Sequence, residues 1–435
     1  MALSKKPYKG SRDFFPSEMR IRDYLFSQMR KTAHSFAYEA YDGPLLEEVK
    51  LYKAKSGEEL INEQIYDFTD RGERHVAIRP EMTPTLARMV ASVHRQTAKP
   101  LRWYAIPNLM RYEKPQRGRV REHWQFNVDI FGAPPVLGEV EILSLIVHFF
   151  KNLKADQTMF SILVNDRKIV DAIFNELLQL KDDEAYKLYK VIDKAKKVDD
   201  AALDKMISDI LADDKKSVFK NYLALSNHLE LLEFLKSHKL SDQAQEFMKI
   251  MENCEQLGLL PYIQYDPTIV RGLDYYTGLV FEIFDLNPEN RRAIAGGGAY
   301  ASLMKIFDEP ELPGIGFGLG DVTLKDFLET HKLLPDLAHA SNDLFLCHTE
   351  DQELIATQKL ALVLREQGLK VELNLGKMKF NKIFKTAESK GHQYVAIVEE
   401  KDGHVQVQIK NLPTREAKFF QLSDISEIQN FIKDK

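Results

Sequence analysis

From Glu139 to Leu257 the chain contains neither glycine nor proline, although both punctuate the first 138 residues and the stretch from Gly258 to Pro335. A span without backbone breakers reads as mostly helical. Its early part still holds one strand candidate over residues 159–165, a short apolar run suited to a buried strand. From residue 167 to 257 leucines recur at helical spacing, as at Leu223, Leu225, Leu229, Leu232 and Leu235, among lysines, aspartates and alanines. This region is therefore predicted to be a helical module inserted into another fold. On either side lie β-branched and aromatic segments bounded by Gly and Pro turns, at residues 101–106, 124–131 and 279–284. They predict an antiparallel sheet that the insertion interrupts.

After Pro335 the pattern changes. Strand-like runs at 343–347, 371–375 and 394–398 alternate with helix-like runs at 351–367 and 380–390, which predicts a separate α/β domain over residues 342–435. The expected fold is thus α+β, with residues 1–335 forming the first domain. At 435 residues, two or three domains are expected, and 44% hydrophobic residues suffice for ordinary cores. Sixty Lys+Arg against 65 Asp+Glu leave a net charge of -5, so nucleic acid can be attracted only by a local basic patch. The only two cysteines, Cys254 and Cys347, exclude a disulfide scaffold and a Cys-based zinc cluster. No run of 18 apolar residues occurs, and the N-terminal lysines are followed by no apolar core, so a cytoplasmic protein with no membrane contact is expected.

Chemistry concentrates in four places. The first is Arg111 to Asp129, where five basic residues crowd a Pro/Gly turn, a loop suited to phosphates. Behind it Gln125 and Asp129 share one strand face and alternate with Phe126 and Val128, giving a polar face on an apolar back. The second is Arg271-Gly-Leu-Asp-Tyr275-Tyr276, just before a strand. The third is Gly296-Gly297-Gly298, where a backbone without Cβ atoms can approach a ligand closely. The fourth is Arg79-Pro-Glu81-Met82-Thr83-Pro84, a carboxylate and a hydroxyl before a proline-started helix, where Thr83 could simply be a cap.

Taken in order with Gly10-Ser11-Arg12-Asp13, these motifs closely resemble the histidyl-tRNA synthetase family, and the Arg-x-Glu of 111–113 looks like motif 2 of class II aminoacyl-tRNA synthetases. The resemblance runs from about residue 9 to the C-terminus. It implies a class II antiparallel catalytic domain, a C-terminal anticodon-binding domain, and a homodimer. It implies activation of L-histidine with ATP and Mg²⁺, transfer to histidine tRNA, and no resident protein-bound metal. Glu81, Thr83 and Gln125 would meet the histidine α-amino group, with Asp129, Tyr275 and Tyr276 around its imidazole and Met82 also among the histidine-binding residues. Arg111 and Arg271 would be the catalytic arginines on the α-phosphate, with Glu113, Arg119, Arg121 and His123 toward ATP. Gln116, Lys377, Lys379 and Lys382 would meet tRNA.

Four positions depart from the family pattern. Thr323 stands where motif 3 carries the arginine of the γ-phosphate, and Arg119, Arg121 and Arg88 are the candidate replacements. Ala299 and Ala301 flank Tyr300 where Arg and Asp are usual, and His123 replaces an adenine-stacking phenylalanine. These departures are also compatible with a catalytically silent paralogue, such as the regulatory subunit of ATP phosphoribosyltransferase, although that subunit lacks a C-terminal domain of this kind.

Overall fold

Most strand-forming segments of the first unit, read from a computed structural model, assemble into a nine-stranded sheet, and Leu46–Glu48, His75–Ile78 and Tyr66–Thr69 form a separate three-stranded one. The structure describes residues 3–433 apart from 55–59, 197, 271–274, 291, 340–341 and 402. Two compact units result, residues 1–14 with 22–334 and residues 15–21 with 335–435.

In the large sheet, Leu101–Ala105, Glu122–Phe131, Gly314–Gly320, Ala293–Tyr300, Leu279–Asp285 and Phe160–Asp166 lie side by side, each antiparallel to the next. Parallel neighbours close both edges, Glu39–Ala40 beside Leu101–Ala105 and Ile263–Tyr265 beside Phe160–Asp166. Chain order and spatial order differ because the last strand, Gly314–Gly320, enters between Glu122–Phe131 and Ala293–Tyr300, while the chain leaves the sheet after Asp166 and returns beside the same strand at Ile263. Between them run helices Asp182–Lys194, Asp200–Ser208, Asp213–Leu223, His228–Ser237 and Gln245–Gln256.

One face of the sheet is covered by helix Leu137–Asn152, which buries Ile142, Leu145, Ile146, Phe149 and Phe150. Phe126, pointing to that face, meets Phe149 at 5.9 Å and Phe317 edge-on at 5.8 Å. Each such fully buried ring contributes about 1.5–3 kcal/mol through removal from water. Because a strand alternates, burying Phe126 and Val128 on this face turns Gln125 and Asp129 to the other. There, helix Thr83–Val93 packs Leu86, Ala87 and Val90 against Tyr275 and Tyr276. The sheet's second face is therefore lidded only in part, and a cavity remains.

The helix Asp321–Thr330 is anchored by charge. Asp321, buried, accepts Trp124 N–H at 2.9 Å through one oxygen and pairs with Arg12 at 2.8 Å through the other. This absorbs Arg12 of the N-terminal motif into holding the helix that follows the glycine-rich strand.

The second unit carries a five-stranded sheet in the order Val371–Leu373, Leu344–His348, Tyr394–Lys401, His404–Asn411, Ala417–Gln421, parallel for the first three and antiparallel thereafter. Helices Leu354–Glu366 and Ile425–Lys433 share one core cluster with it, and Phe380–Ser389 packs Ile383 and Ala387 into another. Among the described residues no helix is long and apolar enough to cross a membrane.

Replacing Arg12 with Ala strands the Asp321 carboxylate in a buried position. Arg12 is partly exposed, so the expected loss is about 1–3 kcal/mol rather than the full cost of an unpaired buried charge. A melting curve at neutral pH checks it, with Arg12→Lys falling between the two.

Candidate active site

A cavity of about 750 Å³ opens over the polar face of the sheet. Its lining gathers Glu81, Thr83, Arg111, Glu113, Arg119, His123, Gln125, Asp129, Tyr275 and Tyr276, residues spread over nearly 200 positions of sequence. Of the sequence-derived candidates, Arg271 lies outside the described residues.

The glycine-rich strand makes this concavity possible. Gly316 is the register partner of Asp129, and a Cβ there would stand 2.0 Å from the Asp129 carboxylate oxygen. One at Gly318 would meet the Gln125 side chain at 2.6 Å. Only a strand lacking side chains at both points leaves room for the two polar groups.

At the closed end Asp129 is 5% exposed, and burial pushes its carboxyl up to about 7, opposed by the hydroxyl of Tyr300, which donates to Oδ1. Tyr300 was not among the sequence-derived site residues, though it survives from the family's glycine motif. The strand register explains its place, since Tyr300 pairs with Gly314, two residues from the partner of Asp129. The ring of Tyr275 sits edge-on to Tyr300 at 5.9 Å and tilted against Tyr276 at 4.8 Å. Tyr41, whose buried hydroxyl has no hydrogen-bond partner among the described residues, feels the same carboxylate. Burial first, then Asp129, holds its ionisation well above the usual range.

The open end is basic. Arg111 is oriented by its Nε, which donates to Pro80 O at 2.8 Å. Arg119 forms an ion pair with Glu113. His123 is pushed down to about 3 by burial, reinforced by the charges of Arg111 and Arg12, so its ring is neutral at physiological pH. A neutral planar ring can stack on a base without adding charge.

Several candidates stand elsewhere. Arg121 does not reach the cavity. It is buried, its Nε donating to Glu113 O at 3.1 Å and its terminal nitrogen to Tyr8 Oη at 2.8 Å, and it lies over the Tyr112 ring at 3.9 Å. Its role here is to clamp the phosphate-loop hairpin to the N-terminal segment. Met82 is buried beneath the site, 3.9 Å from an Arg79 nitrogen. Thr83 is not a cap, because the helix begins at Thr83 itself with Met82 as the capping residue and no side-chain cap bond. Arg88 is tied to Glu47 at 2.8 Å and does not line the cavity. Gln116 is exposed at the hairpin tip, its backbone paired with Arg119. Sequence reasoning also missed Arg292, which lines the cavity at its basic end.

Among the described residues no group of three or more His, Cys, Asp or Glu could hold a metal ion.

The raised Asp129 carboxyl has a stability signature. Its folded value, about 7, lies above that of an unfolded aspartate, so the native state binds the extra proton between the two. The native state therefore loses stability as pH rises from the ordinary aspartate range to about 7, and reaches a plateau above it. Asp129→Asn, which keeps an oxygen for Tyr300, is expected to raise the melting temperature more at pH 8 than at pH 5. An equal change at both pH values contradicts a carboxyl whose proton affinity is raised by burial.

Comparison with known proteins fits this geometry. A family model described as histidyl-tRNA synthetase matches residues 10–323, and one described as an anticodon binding domain matches 346–435. A histidine--tRNA ligase of Leptospira biflexa is 40% identical over 426 residues, covering 97% of this chain and 96% of the relative. The chloroplastic/mitochondrial histidine--tRNA ligase of Arabidopsis thaliana is 34% identical, covering 97% and 86%. The crystal structure of histidyl-tRNA synthetase from Nostoc sp. PCC 7120 superposes with a TM-score of 0.81 at 21% identity, covering 99% of this chain and all of that one. A Bacillus halodurans structure titled ATP phosphoribosyltransferase regulatory subunit/histidyl-tRNA synthetase superposes at 0.76 with 21% identity, a likeness of fold alone. With the family model spanning most of the chain and full-length relatives at up to 40% identity, this chain belongs to the histidyl-tRNA synthetase family.

Proposed function

We propose that the chain joins histidine to ATP as histidyl-adenylate at this cavity and passes the histidyl group to the 3′ end of histidine tRNA. The observation that carries the reading is the contrast between the cavity's two ends, a buried Asp129–Tyr300 pair at one and a row of arginines at the other. An imidazole presents two nitrogens. A site that meets them with a carboxylate and tyrosine hydroxyls leaves those groups unpaired when an isosteric side chain enters, which supplies about 10⁴-fold discrimination or more.

Glu81, Thr83 and Gln125 stand along the cavity wall as partners for the α-amino group, and the substrate carboxylate then faces Arg111. A carboxylate oxygen forms a bond to the α-phosphorus while the bond to the α,β-bridging oxygen breaks, and pyrophosphate departs with the electron pair. The nucleophile is already ionised, so no general base is needed. What limits the step is the meeting of two anions and the charge that grows on the phosphoryl oxygens. The guanidinium of Arg111, fixed by Pro80 O, stabilises that charge without reorganising, and Arg271 is its proposed counterpart. Magnesium arrives with ATP as part of the substrate. His123 and Glu113 form the adenine side.

Residues 342–435 are proposed as the anticodon-binding domain. Lysine plus arginine balance acid overall there, so attraction must be local. Lys379, Lys382 and Lys385 are exposed along helix Phe380–Ser389, and Phe380, 56% exposed, offers a stacking face beside them. Lys377 is partly spent on Asp351 at 2.9 Å. The working unit is proposed to be a cytoplasmic homodimer. The silent-paralogue reading is the weaker one, because it explains neither the full-length ligase relatives nor an intact polar pocket.

Purified protein should exchange labelled pyrophosphate into ATP only when histidine is present, and an absence of histidine-dependent exchange sinks the reading. Lys379→Glu with Lys382→Glu should reduce tRNA charging about tenfold or more through lost phosphate contacts, leaving exchange within about twofold. Loss of both activities together would mean the helix is structural.

A further inference from the structure

The helix after the glycine-rich strand carries Thr323 on the cavity wall, where the Thr323 hydroxyl donates to Ile294 O at 3.1 Å and so ties the helix to the start of the neighbouring strand. Two residues before Ile294 stands Arg292. A Cβ built on Gly118 would lie 3.0 Å from Arg292 Cδ and 3.7 Å from the Thr323 methyl, so the arginine stem and the threonine flank one point over the phosphate loop. Gly118 sits at φ +71°, where glycine is favoured, and its missing side chain lets Arg292 pass.

Three features separate Arg292 from the other cations near the cavity. Arg121 is locked to Glu113 and Tyr8, and Arg88 to Glu47, so neither can turn inward. Arg119 faces the cavity but is paired with Glu113. Arg292 lines the cavity, and among the described residues neither a hydrogen bond nor an ion pair holds it. Burial, and then the like charge of Arg119, lower its ionisation from the ordinary arginine value, and Glu113, already paired with Arg119, opposes them only in part. Register fixes the end at which this happens. Tyr300, on the Asp129 side, pairs with Gly314, whereas Ala295 pairs with Leu319 at the other end of the same strands. Arg292 is eight positions from Tyr300 along the chain, roughly 26 Å of extended strand.

We propose that Arg292 holds the β,γ-phosphate end of ATP and the departing pyrophosphate, doing from the strand what a helix arginine at position 323 would do. The inference rests on the adenylation reading above. Arg292 neutralises charge that leaves with pyrophosphate and touches neither the histidine nor the adenylate.

The test compares Arg292→Ala and Arg292→Lys with the unaltered protein in histidine-dependent ATP–pyrophosphate exchange, beside calorimetric binding of ATP and of a non-hydrolysable histidyl-adenylate analogue. Arg292→Ala should raise KM for ATP and for pyrophosphate about 10- to 100-fold, as expected for lost charge-assisted hydrogen bonds. Arg292→Lys should fall between. KM for histidine and affinity for the adenylate analogue should stay within about twofold, which a general loss of folding would not allow. Unchanged ATP and pyrophosphate dependence overturns the proposal, as does an equal loss of affinity for the adenylate analogue. If the unaltered protein shows no histidine-dependent exchange, the adenylation reading fails, and the ATP-binding comparison still decides whether Arg292 holds the triphosphate.

Discussion

Asp129 stands 5% exposed in the middle of an antiparallel sheet, where a carboxylate is costly unless something meets it. Much of the surrounding architecture bears on that one group. The Gly314–Gly320 strand omits side chains at Gly316 and Gly318 so that Asp129 and Gln125 can stand up from the sheet. Tyr300 crosses from the next strand to donate to the carboxylate, and Tyr275 packs on Tyr300 to hold the ring in place. Helix Thr83–Val93 closes over these rings with Leu86 and Val90, bringing Glu81 and Thr83 to the same space. Burial raises the carboxyl to about 7 even though the Tyr300 hydroxyl, donating to it, pulls the other way.

The other end of the cavity obeys the opposite rule. Its positive charge is not used up: Arg111 is held by the neutral Pro80 O, and Glu113, paired with Arg119, leaves Arg292 beside that pair without an ion-pair partner among the described residues. A site that is electrostatically incomplete when empty favours a polyanion. The ion pair of Arg12 with buried Asp321 fixes the helix carrying Thr323, so even the N-terminal motif acts on this end through position rather than contact.

The patterns most open to reading in the sequence were periodic or local. The sheet segments, the helical insertion and the first strands and helices of the C-terminal unit follow from alternation, helical spacing and breakers. The hairpin His404–Asn411 with Ala417–Gln421 was not singled out, because its alternation around Val405, Val407 and Ile409 is diluted by glutamines and lysines. Cavity-lining residues that carry a motif of their own, such as Glu81, Arg111 and Asp129, are legible in the sequence, whereas those brought there by register, such as Tyr300 and Arg292, are not. Tyr300 reaches Asp129, and Arg292 reaches the phosphate loop, only because particular strands pair in a particular offset. Arg121 illustrates the reverse error. It belongs to a basic cluster in the sequence, yet its side chain turns back into the protein to bind Tyr8 and Glu113 O, which composition cannot reveal.

The account's central claim is the orientation it imposes on histidine, ring toward Asp129 and Tyr300, carboxylate toward Arg111. A crystal structure of the protein with histidine bound tests it most directly. The predicted result is a ring nitrogen at hydrogen-bond distance, about 2.7–3.2 Å, from the Asp129 carboxylate, with the substrate carboxylate turned to the arginine end. Histidine bound in the reverse sense, or with its ring away from Asp129, would contradict the account.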